Sequence, residues 1–344
     1  MKRLSVVPAI RGVAGPASFR RRLTAGLEGR GYGVSEGLDG AACDAVLVVG
    51  ATRHLSELGR AKRRGIPIVQ RLDGMNWIHR RRPTGLTHFL RAEVNNLLLR
   101  RVRANLADIV VYQSDFVRRW WDSAIGAAPG RSAVVRNGVP LDVFTPDGPR
   151  QEGGGRMRLL VLEGAIGGGY EIGLTWAAQL AALLAAIRPV ELVIVGAPRM
   201  PRGFALPRSD RVQTTWLGEI PPEQVPGQMR SSALLFSADL HPACPNSVIE
   251  ALACGLPVVA FDTGAISEIV DAESGAVVPY GSDPWKIGPP DVPRLAVAAE
   301  EVLRGAVTYR RGARRRAEAA FGLERMIDDY LDVLGWDRRT SGGG

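Results

Sequence analysis

The chain has 344 residues, a length that at roughly 150 residues per domain predicts two domains, and its 46% hydrophobic and 23% charged residues give each half material for a core. The formal charge of +9 is unevenly spread: residues 1–150 hold 25 Lys/Arg against 12 Asp/Glu, a net of +13, and residues 151–344 hold 19 against 23, a net of −4. No apolar run reaches the roughly 20 residues that span a bilayer; four His and three scattered cysteines, Cys43, Cys244 and Cys254, argue against a zinc site and fit a reducing cytoplasm.

The opening Met1–Pro8 is basic and then briefly apolar, too short for a signal-peptide core, and reads as a buried strand over Leu4–Pro8. Further strands are expected at Ala45–Val49, Ile66–Gln70, Ile109–Tyr112 and Ala133–Val135. Helices lie between them, most clearly over Ser18–Gly29 and Leu86–Arg103, where Leu86, Leu90, Val94, Leu97 and Arg101 mark one face. This alternation is that of a parallel sheet covered by helices. The run from Pro146 to Gly155 has almost nothing to bury and reads as a linker, closing a first domain at 1–148.

After the linker the alternation restarts as a second domain, 156–322. Strands are expected at Leu159–Leu162, Glu191–Val195, Gln213–Leu217, Ala233–Phe236, Val258–Phe261 and Ala276–Val278. Helices are expected at Leu174–Ile187, Ser247–Cys254 and Val292–Leu303. A last helix, Leu323–Leu334, ends at Gly335; residues 323–337 are expected to pack back on the first domain, with 340–344 a disordered tail. Two Rossmann-like α/β units place a ligand beyond the carboxyl ends of their strands.

The densest chemical signal runs from His241 to Ala260. Ser247-x-x-Glu250 has the form of a capping box, so a helix should begin there, and Gly255 and Pro257 should end it. The free backbone N–H groups of Asn246, Ser247 and Val248 then form an anion site suited to a diphosphate. Glu250 reads in two ways, as the cap partner or as an acceptor of hydrogen bonds from ribose hydroxyls.

This stretch resembles the donor-binding signature of family-4 glycosyltransferases, in which two acids separated by seven residues precede A-x-A-x-G-x-P-V. Glu250 matches the second acid, which the resemblance assigns to the nucleotide ribose. Asp262–Val270 is similar to the family's loop near the donor sugar, which places Gly264 at the donor. Gly12–Phe19, with Gly15 and Pro16, resembles the family's Gly-containing first loop on the acceptor side. Ala107–Val117 resembles the strand and turn that follow, Arg136–Pro146 the N-G-V hinge, and Glu324–Tyr330 the C-terminal helix. The resemblance implies a GT-B architecture, two Rossmann-like domains facing a cleft. It also implies a nucleotide-diphosphate sugar donor, transfer with retention, and no required metal or other cofactor.

Two positions depart from the family pattern. Pro242 stands where the first acid, a contact of the transferred sugar, is expected. The segment Glu163–Ile172 lacks the Arg and Lys that clamp the diphosphate, leaving backbone amides at Gly164, Gly167 and Gly168. Arg199 and Arg202 are the candidate substitutes; both also read as surface arginines. The base is expected near Trp216–Ile220, at Gly218.

On the acceptor side Arg71-Leu72-Asp73-Gly74 follows a strand, with Arg71 at the cleft edge. Asp73 is the first choice for a polar contact near the reacting sugar and His79 the second, although an Asp before Gly also serves as a turn residue. The arginine clusters 20–22, 80–82 and 100–103 suit an anionic membrane surface presenting a lipid-linked acceptor, as in polysaccharide biosynthesis; a phosphorylated acceptor or nucleic acid would meet the same charge. A nucleic-acid partner lacks aromatic interleaving to support it. Rival readings are a non-catalytic nucleotide-sugar-binding subunit and a nucleotide-sugar epimerase.

Overall fold

The computed structural model describes residues 1–9, 15–38, 43–150, 154–201 and 203–337. In chain order the elements are β1 (Arg3–Val7), α1 (Gly15–Gly29), β2 (Gly33–Glu36), β3 (Ala45–Val49), α2 (Leu55–Arg63), β4 (Ile68–Leu72), α3 (Leu86–Asn105), β5 (Ile109–Tyr112), α4 (Asp115–Ile125) and β6 (Arg131–Val134). They continue with β7 (Met157–Gly167), α5 (Ile172–Leu184), β8 (Val190–Arg199), β9 (Val212–Gly218), α6 (Val225–Arg230), β10 (Leu234–Phe236), α7 (Asn246–Ala253), β11 (Val258–Phe261), α8 (Ile266–Ile269) and β12 (Gly275–Val278). Three helices close the chain: α9 (Val292–Arg304), α10 (Ala306–Ala320) and α11 (Leu323–Leu334). The chain forms two compact units, one from Met1–Trp77, Gly85–Gly138 and Leu323–Gly344, the other from Ile78–Thr84 and Val139–Gly322.

The first unit is a six-stranded parallel sheet in the order β2-β1-β3-β4-β5-β6. Its strand order reverses between β1 and β3, so its ligand crevice belongs beyond the carboxyl ends of those strands. The edge strand β2, Gly-Val-Ser-Glu, has no apolar run and escapes a hydrophobicity reading. β4 starts at Ile68 rather than Ile66 because Pro67 has no N–H for the ladder; its carbonyl accepts from Val46 N at 2.9 Å. The core joins Leu4, Val6, Phe19, Leu23 and Leu27 to Met326, Ile327, Tyr330 and Leu331 of α11. Gly26 permits this contact, since a Cβ there would lie 2.6 Å from the Ile327 side chain. The buried Arg30 guanidinium pairs with both Glu324 and Asp328.

In helix α3 the aliphatic face that the sequence marks is turned outward. The face that packs inward carries Ala92, Asn96, Leu99, Val102 and Arg103, whereas Leu86, Leu90, Val94, Leu97 and Arg101 are exposed. The buried polar groups are satisfied: Asn96 accepts from Asn76 N at 2.9 Å and donates to Asn76 O at 2.8 Å, and Arg103 donates to Tyr112 Oη at 3.0 Å and Gly126 O at 2.7 Å. Satisfied in this way, a polar side chain faces the sheet at little cost.

The arginine clusters are correspondingly mixed. Arg20 pairs with Glu36, Arg22 donates to Gly138 O, Arg82 pairs with Glu171 at 3.1 Å, and Arg103 is buried. Arg21, Arg80, Arg81 and Arg101 remain exposed.

The second unit is also fully parallel, in the order β12-β11-β10-β7-β8-β9. This is the dinucleotide-type doubly wound order, with its reversal between β7 and β10. The core gathers Leu160, Val193 and Leu235 from the sheet with Val248, Ile249 and Leu252 of α7 and Ala313 and Ala317 of α10. Residues 139–149 pack with this unit. Val139 and Phe144 enter its core, and Arg314 donates to Phe144 O at 2.7 Å, Ala253 O at 2.8 Å and Leu141 O at 3.2 Å. The proposed tail at 340–344 lies outside the described residues. No helix among the described residues is long and apolar enough to cross a membrane.

Candidate functional site

The reversal between β7 and β10 leaves a gap at their carboxyl ends, because the connections leaving the two strands diverge to opposite sides. A cavity of about 130 Å³ lies there, lined by Val161, Glu163, Ala165, Ile166, Tyr170, Leu174, Ala238 and Asp239. Glu163 comes from β7 and Asp239 from the loop leaving β10, so the topology brings two half-buried carboxyls into one apolar recess. Desolvation pushes the Asp239 carboxyl up to about 7, opposed by the Leu240 backbone N–H. Glu163 is raised well above its usual range by desolvation and then by the Asp239 charge. Both carboxyls are therefore held above the ordinary carboxylate range by the same closed surroundings.

A raised carboxyl makes the fold bind more protons than the unfolded chain. Its stabilising effect is full below the unfolded value near 3.8 and is lost as pH rises through about 7. Asp239→Asn is accordingly expected to gain in melting temperature over the parent as pH rises from about 4 to about 7, with little further gain above. A difference that is flat with pH in a calorimetric series would refute this.

From Asp239 the chain runs through His241 and Pro242 to Pro245 and the start of α7. His241 has φ +54, a left-handed conformation rare outside glycine, and is 6% exposed. Its ring stacks on Trp285 with centroids 3.7 Å apart, and burial lowers its pKa to about 4, so the imidazole is neutral at physiological pH. Gly264 (φ +64) lies against the same turn, where a Cβ would sit 2.5 Å from Pro242 N and 2.6 Å from His241 C. Ala265 N donates to Pro242 O at 2.9 Å. Thus the loops after β10 and β11, and the turn holding Trp285, support one another beside α7.

Helix α7 starts two residues earlier than the capping box requires. Pro245 is its N-cap, no side-chain cap bond forms, and Ser247 lies inside the first turn, 8% exposed. The Ser247–Glu250 capping box is therefore absent: an extended Pro245 already directs the chain into the helix. Glu250 is 7% exposed, and Asn246 is half-buried at the first helical position. Val248 is fully buried in the core, so its side chain is structural and only its backbone faces the helix terminus. The other end forms the expected stop: Gly255 (φ +65) donates to Leu252 O at 2.9 Å and Leu256 N to Ala251 O at 2.8 Å.

The glycine-rich segment read as a loop is mostly strand. β7 extends through Gly167, pairing Ala165 with Ala197 and Gly167 with Arg199 after an irregularity at Leu162/Ala165. Gly164 is exposed on this strand, and Gly167 abuts the Arg199 backbone. Gly168 begins the turn into α5, where Gly169 N donates to Glu171 at 2.8 Å. Arg199 is an exposed residue at the end of β8, Arg202 lies outside the described residues, and Gly218 (φ +69) ends β9.

The residues expected on the acceptor side divide between the units. Gly15 and Pro16 open α1 and are exposed; the loop before them, 10–14, lies outside the described residues. Arg71 is 4% exposed at the end of β4, with its guanidinium 3.8 Å from the Phe19 ring centroid and 2.8 Å from Asn137 Oδ1. Asp73 is half-buried, its carboxyl raised by desolvation against the opposing pull of Arg71, and its carbonyl accepts from Trp121 Nε1 at 2.8 Å. Asp73 belongs to the first unit and buried His79, in the turn Ile78–Arg80, to the second. The sequence reading did not nominate Glu163, Asp239, Tyr170 or Trp285. Asp239 had a signal, a carboxylate just past a short apolar strand. No group of three or more His, Cys, Asp or Glu among the described residues is placed to hold a metal ion.

Residues 159–303 match the family model described as "Glycosyl transferases group 1". Over 227 residues the chain is 32% identical to a D-inositol 3-phosphate glycosyltransferase of Geodermatophilus obscurus, a match covering 60% of this chain and 47% of that one. The chain thus spans about half the length of this curated relative. Among solved structures it is similar to a sucrose-phosphate synthase from Thermosynechococcus elongatus, with TM-score 0.71, 16% identity, and coverage of 97% of this chain and 98% of that one. It is also similar to HepE of Anabaena in complex with UDP-glucose, with TM-score 0.67, 15% identity, and coverage of 97% and 99%.

Proposed function

We propose that the protein is a glycosyltransferase that moves a sugar from a nucleotide diphosphate to a carbohydrate or lipid-linked acceptor, with retention, a reading supported by the match of residues 159–303 to the group 1 glycosyltransferase model and by the GT-B fold. The observation that carries the reading is Glu250: a buried carboxylate in α7, inside the family-matched segment, on the helix whose amino end follows the turn at His241–Pro245. In this reading the α7 terminus receives the diphosphate through Asn246, Ser247 and Val248 backbone amides, and Glu250 accepts from ribose hydroxyls.

The Glu163–Asp239 cavity suits the transferred sugar, because carboxyl oxygens lining a recess accept hydrogen bonds from sugar hydroxyls. Gly164, Gly168 and Gly218 leave their backbone open to the donor, and Gly167 and Gly264 let the segments around it pack closely on Arg199 and Pro242. Catalysis rests on orientation and on stabilising the leaving diphosphate, which takes the acceptor proton; Asp73 is the first choice for a polar contact near the reacting sugar and His79 the second, with Arg71, Gly15 and Pro16 as acceptor-side residues of the first unit. No metal or other cofactor is needed in this scheme. The exposed cations of the first unit hold the protein on the inner face of an anionic membrane, in polysaccharide biosynthesis.

A panel of nucleoside diphosphates is expected to raise the melting temperature of the chain with at least one member, and no shift with any of them would overturn the donor site. A second reading, donor binding without turnover, is favoured by Pro242 at the first acid position and by the lack of Arg or Lys in Gly164–Gly169. Donor hydrolysis or transfer separates the two.

A further inference from the structure

We infer that the outward face of α3 is a membrane-insertion element, an apolar stripe that enters the acyl boundary of an anionic bilayer while arginines beside it meet the headgroups. Leu86 is 75% exposed, Leu90 55%, Val94 44% and Leu97 66%. Their spacing of four, four and three residues aligns them on one side of the helix, opposite buried Ala92, Asn96, Leu99 and Val102. A surface helix ordinarily carries charge on that side, and this one carries aliphatic side chains over three turns.

The charges flanking the stripe are mainly cationic. Arg101 continues it by one turn and Arg91 is exposed beside it, with half-buried Glu93 the one acid on the helix. Lys62 Nζ donates to Leu106 O at 3.0 Å and pairs with Asp108 at 2.9 Å, which brings the end of α2, with its exposed Arg60 and Arg63, to the carboxyl end of α3. A second copy fits this face poorly. Residues 1–150 carry a net of +13 and repel themselves, and one helical stripe is smaller than the roughly 800 Å² per partner of a stable interface. A bilayer with anionic headgroups complements both the charge and the apolar stripe.

The inference rests on the proposal that the first unit works at an anionic surface, and adds an apolar component that salt does not screen. Flotation with phosphatidylcholine vesicles, with and without phosphatidylglycerol, at low and high salt tests it on the full chain. Wild-type protein is expected to float with anionic vesicles and to remain partly bound at high salt. The variant Leu86→Glu/Leu90→Glu/Leu97→Glu is expected to bind at least about tenfold more weakly and to lose the salt-resistant fraction, with its melting temperature kept because the three side chains face outward.

Leu90→Trp supplies an independent readout, a blue shift of its emission on adding anionic vesicles. Triple-variant flotation equal to wild type, or an unshifted Leu90→Trp emission, overturns the inference and leaves the electrostatic reading standing. No flotation of the wild type removes that reading too. A wild-type dimer in solution that the triple variant dissolves assigns the stripe to self-association and overturns the proposal.

Discussion

Glu250→Gln is expected to weaken binding of the stabilising nucleoside diphosphate by about 10- to 100-fold, since each hydrogen bond to a charged acceptor contributes about 1.5–3 kcal/mol. Gln keeps the volume of a side chain that is 7% exposed, so the core of Val248, Ile249 and Leu252 around it stays filled. The effect should therefore appear in affinity, measured by calorimetric titration, with a change in melting temperature of only a few degrees. Glu250→Ala should weaken binding similarly and also cost stability through the cavity it leaves. Unchanged affinity in Glu250→Gln would make the carboxylate a structural group of α7 and remove the residue on which the donor site rests.

Gly264→Ala is expected to lower the melting temperature by about 5–15 °C and to abolish nucleotide-induced stabilisation. Two costs combine. A left-handed conformation at φ +64 disfavours any Cβ, by about 1–3 kcal/mol for a strained residue. The added methyl would also stand 2.5 Å from Pro242 N, and one of the two loops must move. The moving loop carries His241 and Pro242 toward the amino end of α7, so destabilisation and loss of binding should arrive together. Retained nucleotide stabilisation in a folded Gly264→Ala protein would show that the His241–Pro245 turn does not set the site.

Much of the fold was legible because parallel strands buried on both faces are short apolar runs: β3, β5 and β11 lie where the runs Ala45–Val49, Ile109–Tyr112 and Val258–Phe261 place them. The stop of α7 at Gly255 was equally legible, since a left-handed terminus asks for glycine. Elements whose residues lack such a run, the polar edge strand β2 and the arginine-rich α10, were not. The N-cap of α7 lies two residues before the expected Ser247, because the extended Pro245 already turns the chain into the helix and the surrounding loops hold it there.

By itself, then, the sequence determined two α/β units, the segment around Glu250 and the excess of cations in the first half, properties carried by local pattern and composition. The tertiary structure alone decided which face of α3 meets the sheet, because Ala92, Leu99 and Val102 pack inward and hydrogen bonds to Asn76, Tyr112 and Gly126 let Asn96 and Arg103 be buried with them. It alone decided that Glu163 and Asp239, 76 positions apart in the chain, share one recess. Their meeting follows from β7 and β10 being neighbours in the sheet, and the rise of both carboxyls above their usual range from the desolvation that only this closure creates.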